Sequence, residues 1–162
     1  MARRLRPVGL DFAEVAPIRL VFEADATAPP EAVYQALAEE LEGWPKWFRA
    51  VTLARPTHGG AGREVRLMGG VRFQETIMAA DPEQRYAYRA DETNAPGLRA
   101  LLEEWRLTPA GSGTHVRWTF AADGPTPFRL ALTAARPGLG HSFRTAVRTL
   151  DRRLAARRAA GQ

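Results

Sequence analysis

Two glutamates stand at positions where strand alternation puts apolar residues. Glu75 has the parity of Phe73 and Ile77, and Glu103 has the parity of Leu101 and Trp105. In an extended strand every second side chain points to the same face, so both carboxyls are aimed at an apolar interior. A carboxyl there must find a donor or take up a proton, and either state can hold or activate a ligand. Counting through the turns gives these glutamates neighbours. A turn over Asp81–Gln84 sets Ala80 opposite Arg85, Ile77 beside Tyr88 and Glu75 beside Ala90. A turn over Pro109–Thr114 sets Thr108 opposite His115, Trp105 beside Trp118 and Glu103 beside Phe120. Carried across the Thr93–Leu98 loop, the count brings Glu103 beside Tyr88, whose hydroxyl can donate to it. Glu75 and Glu103 are therefore candidate proton-exchanging residues, with Tyr88 as hydrogen-bond donor. The plain alternatives are a bulge that turns a glutamate to solvent, or an arginine that merely pairs with it.

The other candidate site residues are apolar. Phe73, Tyr86, Tyr88, Trp105, Trp118 and Phe120 lie on inward strand faces, and Leu139 and Phe143 lie on the apolar stripe of the last helix. They are expected to contact a ligand or to pack the wall behind it. Trp44 and Trp47 read as structural, with the entrance to the pocket as a second role. His58 falls in a turn, His115 alternates outward and His141 lies opposite the apolar stripe, so no pair has the spacing of metal ligands. No metal and no cofactor is expected. Gly69-Gly70 and Gly111-Ser112-Gly113 are turns rather than phosphate loops, because neither opens a helix after a strand.

Those residues need elements to position them. Ile18, Leu20, Phe22, Ala24 and Ala26 alternate with Arg19, Glu23 and Asp25, the period of a half-buried strand. Pro29-Pro30-Glu31 opens a helix that Gly43 ends, and Trp44–Phe48 forms a second, short one. Six strands follow, over 50–55, 63–68, 71–79, 85–91, 99–108 and 114–121. Tight turns make their pairing antiparallel. The period then changes. Phe128, Leu132, Ala135, Leu139, Phe143, Ala146, Val147, Leu150 and Leu154 keep one helical face. The phase survives Arg136-Pro137-Gly138, which predicts one long helix with a kink or short break at Pro137. An antiparallel sheet with one apolar face needs a cover, and only this helix is large enough. The expected fold is α+β. A curved antiparallel sheet of about seven strands surrounds a long C-terminal helix, with two short helices between strands one and two. Residues 1–16 form an irregular N-terminal arm, and 17–158 form a single helix-grip ligand-binding domain.

Composition narrows the classes. The chain has 162 residues and no cysteine, which excludes disulfides, a Cys-ligated zinc and a thiol nucleophile. No apolar run approaches the ~20 residues needed to span a bilayer. No export signal is visible, so a cytoplasmic location is expected. The formal net charge is +5, and Lys46 is the only lysine. Arg144, Arg148, Arg152, Arg153, Arg157 and Arg158 crowd the C-terminal helix, but no nucleic-acid signature accompanies them, so no nucleic-acid partner is expected.

Several segments together resemble a known family. Ala28-Pro29-Pro30-Glu31-Ala32-Val33-Tyr34 resembles its strand-to-helix opening, and Trp44-Pro45-Lys46-Trp47 its second helix. Asp81-Pro82 with Tyr86-Ala87-Tyr88 resembles its central hairpin, and Gly113-Thr114 before Val116-Arg117-Trp118 its last strand. This is the START / birch-pollen-allergen-like superfamily, in particular its polyketide cyclase/dehydrase and lipid-transport branch. The resemblance covers about residues 18–155 and implies the helix-grip fold. It carries over no catalytic residue. Three functions are expected to compete. The first is a binder of an apolar small molecule, such as a lipid, polyketide or aromatic compound. The second is an aromatase/cyclase or dehydrase using the pocket glutamates and Tyr88. The third is a pocketless adaptor filled by its own tryptophans.

Overall fold

A computed structural model describes residues 1–162. Its elements in chain order are β1 (Arg3–Arg4), α1 (Phe12–Val15), β2 (Ile18–Ala26), α2 (Pro30–Tyr34), β3 (Val51–Thr57), β4 (Gly62–Leu67), β5 (Arg72–Asp81), β6 (Arg85–Thr93), β7 (Ala100–Ala110), β8 (Gly113–Asp123) and α3 (Thr126–Ala160). The sheet is antiparallel in the order β2-β8-β7-β6-β5-β4-β3, so the first long strand pairs with the last. Pro29 and Pro30 start α2 in the first turn, where a missing N–H costs nothing. A wide π-type turn (Gln35–Glu39) and a tight 3-10 turn (Leu41–Lys46) then carry the chain to β3. Gly43 lies inside that second turn rather than ending the first helix.

The long helix α3 crosses the concave face. Proline inside a helix removes one donor and frees one carbonyl. Arg136, Pro137 and Gly138 are all exposed, so solvent can satisfy the freed group, and the helix runs unbroken through Pro137. Its two halves are buried differently. Phe143, Ala146, Val147, Leu150 and Leu154 are buried against the sheet and α2, whereas Leu132 and Leu139 are half-buried and Ala135 is exposed.

The arm is more ordered than an irregular segment. Arg3 and Arg4 pair with Thr93 and Glu92 of β6, and Leu5 N–H donates to the Asp91 carbonyl at 2.8 Å. Val8, Phe12 and Ala13 then cover Ala100, Leu102 and Ala121 on the convex face. The physical reason is local. Those outward positions of β7 and β8 are apolar, and the arm is the cover that takes them from water.

Candidate functional site

The register around the glutamates is close to the one counted from the turns. Ile77 pairs with Tyr88, Glu75 with Ala90, Tyr88 with Glu103, Glu103 with Phe120 and Trp105 with Trp118. The turn itself departs by one residue, with Asp81 rather than Ala80 opposite Arg85. A bulge at Met78 restores the count before Ile77, and a second irregularity at Asp91 follows Glu75. The two bulges flank the Glu75 segment without turning the side chain outward. Glu75 is buried, and Glu103 is half-buried because it keeps a surface on an internal recess.

That recess has a volume of about 220 Å³ and lies between the sheet, the Trp44–Val51 segment and the N-terminal half of α3. Phe73, Tyr88, Trp118, Phe120 and Leu139 line it, together with Trp44, Phe48, Val65 and Leu132. Three charged side chains, Arg63, Glu75 and Glu103, and the Ser142 hydroxyl interrupt an otherwise apolar lining. Tyr86, Trp105 and Phe143 lie outside it. Trp105 and Phe143 join Phe22, Phe48 and Trp118 in a packed aromatic cluster with centroid separations of 5.6–6.5 Å. Tyr86 faces a wider, open groove that it shares with Tyr34, Glu39 and Glu42.

Arg63 is the residue that counting through the strands did not single out. Its parity is that of Val65 and Leu67, which was the available signal, and it pairs across the ladder with Glu75. Only 1% of Arg63 is exposed. Its Nε donates to Glu75, and its guanidinium carbon lies 3.4 Å from the Tyr88 ring centroid and 4.5 Å from that of Trp44. With Tyr86 at 5.6 Å, the cation is held by one carboxylate and three aromatic rings. Its Nη1 has no acceptor within the protein, nor does Nε1 of Trp118.

Charge decides which group can titrate. Burial works against the Arg63 cation, but the Glu75 charge beside it overrides this and holds its pKa above the ordinary value. Burial raises the Glu75 carboxyl, and the charge and hydrogen bond of Arg63 oppose the rise. With Arg63 permanently charged, Glu75 is its natural counter-ion. Glu103 is then a second carboxylate with no cation of its own. Burial and the neighbouring Glu75 charge push it up to about 7, against the pull of Tyr88 and Arg63. Tyr88 accepts a hydrogen bond from Trp105 Nε1 at 3.0 Å, which leaves its own proton free for the glutamate opposite. Burial first, and the Glu103 charge second, keep that hydroxyl protonated well above the usual tyrosine range. The arrangement offers one carboxyl able to gain or lose a proton near neutrality, one neutral donor beside it and one fixed cation.

The three histidines do not join this group. His115 pairs with Asp25 at 2.7 Å on the outer face, and His58 and His141 are exposed.

A curved sheet gripping one long helix, with a mostly apolar recess beneath that helix, defines a helix-grip protein. Residues 17–155 match the family described as polyketide cyclase / dehydrase and lipid transport, and the chain belongs to it. It is 34% identical over 160 residues to the uncharacterized protein Rv2574 of Mycobacterium tuberculosis, covering 96% of this chain and 95% of that one. Among solved structures, a START superfamily protein from Mycobacterium smegmatis superposes with a TM-score of 0.66 at 10% identity. That match covers 85% of this chain and 97% of the other. Ara h 8.0201 superposes with a TM-score of 0.65 at 14% identity, covering 86% and 98%. At those identities the likeness is one of fold, and it agrees with the superfamily read from the sequence. No helix is long and apolar enough to cross a membrane.

Proposed function

We propose that the protein binds a small, mainly apolar molecule carrying oxygen substituents, in the recess beneath the N-terminal half of α3. The observation that carries this reading is the lining itself: an apolar wall with Arg63, Glu75, Glu103 and Tyr88 gathered on one side. Pockets of this make-up, apolar with a few convergent polar groups, suit small ligands. Size narrows the class. A cavity of roughly 150 Å³ accepts benzene, so about 220 Å³ suits a one- or two-ring compound. A long lipid chain or a four-ring polyketide needs α3 to move. The polar side of the recess, where Glu103 keeps an accessible surface, favours a ligand with an oxygen substituent.

A second reading has its own observation. Glu103 borders the recess with a carboxyl that exchanges its proton near neutrality, beside the neutral Tyr88 hydroxyl. That is the equipment for removing and returning a proton on a bound carbonyl compound, as a cyclase or dehydrase needs. The pocketless adaptor has less support, because its own tryptophans fill only one end of the grip.

The test is a titration of intrinsic tryptophan fluorescence with naphthol, with Trp44 and Trp118 as reporters. Quenching should saturate at one molecule per chain. A Leu139→Trp variant that keeps its circular dichroism should lose this binding, because the added ring fills the recess. Unsaturable quenching, or binding undisturbed by Leu139→Trp, would overturn the proposal. For the second reading, Glu103→Gln should abolish turnover of an aldol-type substrate while leaving naphthol binding in place.

A further inference from the structure

A groove on the other side of Ser142 has a composition that the recess does not explain. It runs between α3 and the Leu41–Lys46 turn and has an open volume of about 590 Å³. Lys46, Arg49 and His141 line it with the hydroxyls of Ser142, Thr145 and Thr149, and no carboxylate does. Two more cations border it. Arg148 and Arg152 direct their Nη2 atoms at the Thr145 and Thr149 hydroxyls, each at 3.4 Å. Neither has a carboxylate partner. The helix α3 carries eight arginines against a single acid, Asp151, and that acid is engaged elsewhere. It accepts from the Thr27 and Ala28 amides at 2.9 Å.

Two ordinary explanations of the basic face fall short. A helix dipole favours cations only in the last turn. That accounts for Arg157 and Arg158, but Arg148 and Arg152 lie well before the end at Ala160. A membrane surface or a nucleic-acid backbone presents phosphates in an extended array. Here Lys46, Arg49 and three hydroxyls line one bounded groove, and Arg148 and Arg152 stand at its edge through Thr145 and Thr149.

The geometry points to a phosphate subsite: the groove takes the phosphate, or a comparable dianion, of a small amphiphile whose apolar part occupies the recess. Ser142 lines both spaces and is their common wall. A phosphoester offers several acceptor oxygens to guanidinium, ammonium and hydroxyl donors at once, and charge-assisted bonds of this kind are the strong ones. This inference rests on the reading of the recess as a ligand site and adds the class of ligand to it.

The experiment compares naphthol with the phosphate ester of the same isomer by isothermal titration. The pH is set to about 8, where the ester is dianionic. The ester should bind about tenfold more tightly, and the advantage should shrink as salt is raised. Lys46→Gln combined with Arg49→Gln, and separately Arg148→Gln, should remove most of that advantage and leave naphthol affinity unchanged. All three side chains are exposed, so the fold should be untouched in both variants. An ester that binds no better than naphthol, or an advantage that survives both variants, overturns the phosphate subsite. Naphthol failing while the ester binds sinks the recess reading and leaves the groove standing. Failure of both ligands sinks both. Binding to phosphatidylserine vesicles with no ester advantage would assign the basic face to a membrane surface and also overturn the proposal.

Discussion

The two halves of α3 lie over one sheet and meet it in opposite ways. The C-terminal half sends Phe143, 0% exposed, into a cluster with Phe22, Trp105 and Trp118, and Val147, Leu150 and Leu154 close the space above α2. The N-terminal half offers Phe128, Leu132 and Leu139, all only half-buried, over a part of the sheet that carries three charged side chains. One end of the grip is a packed core and the other is a chamber. The difference follows from side-chain volume and charge rather than from backbone. Large rings fill the closed end to the density of a protein interior. At the open end a buried ion pair and a second carboxyl resist being packed by hydrocarbon alone, since buried charges need partners. The closed end holds the fold, and the open end keeps the recess.

Mutations at the two ends should separate these roles. The largest effect is expected at the closed end. Phe143→Ala should lower unfolding free energy by about 3–5 kcal/mol, the range for deleting a fully buried ring, as read by urea denaturation. A loss under about 1 kcal/mol would mean the cluster is not the stabilising core.

The next effect depends on pH. The folded-state pKa of Glu103 is raised to about 7 from an ordinary 4.5. Between those values the folded chain holds a proton that the unfolded chain has lost, so stability falls as pH rises through the window and levels off above it. The shift corresponds to a loss on the order of 3 kcal/mol. Glu103→Gln stays neutral and should show no such fall. The variant should match the parent near pH 5 and exceed it at pH 8 in paired denaturation curves. Parallel pH profiles would show that Glu103 is not the titrating group.

The smallest effect is expected at the rim of the chamber. Leu139→Ala should cost only about 1 kcal/mol, less than a fully buried leucine, because the side chain already borders open space. Its signature is functional: naphthol affinity should change more than stability does. A cost near that of Phe143→Ala would mean that the recess closes in solution.

The sequence by itself determined a good part of this protein. Alternation along the strands settles which face each side chain takes, and that aimed Glu75 and Glu103 inward; a count carried across the Thr93–Leu98 loop put Tyr88 beside Glu103. The change of period after Gly124 settles the long helix and the stripe it buries. These are local matters, because strand parity and helical phase depend on a few neighbouring residues. Recognition of the family rested on short segments that build the same local turns. The tertiary structure decided the rest. It joined Arg63 to Glu75, a pair whose parity was legible but whose partnership needed the register of β4 on β5. It placed the Met78 bulge that absorbs a turn one residue different from the one counted. It laid the arm on Leu102 and Ala121, carried α3 unbroken past Pro137, and drew Trp105 and Phe143 into the core while leaving Phe73, Trp118 and Leu139 at the recess. The physical reason is common to all of these. Parity says which way a side chain points, whereas a cavity or a buried ion pair depends on the volumes and charges that distant segments bring to the same place.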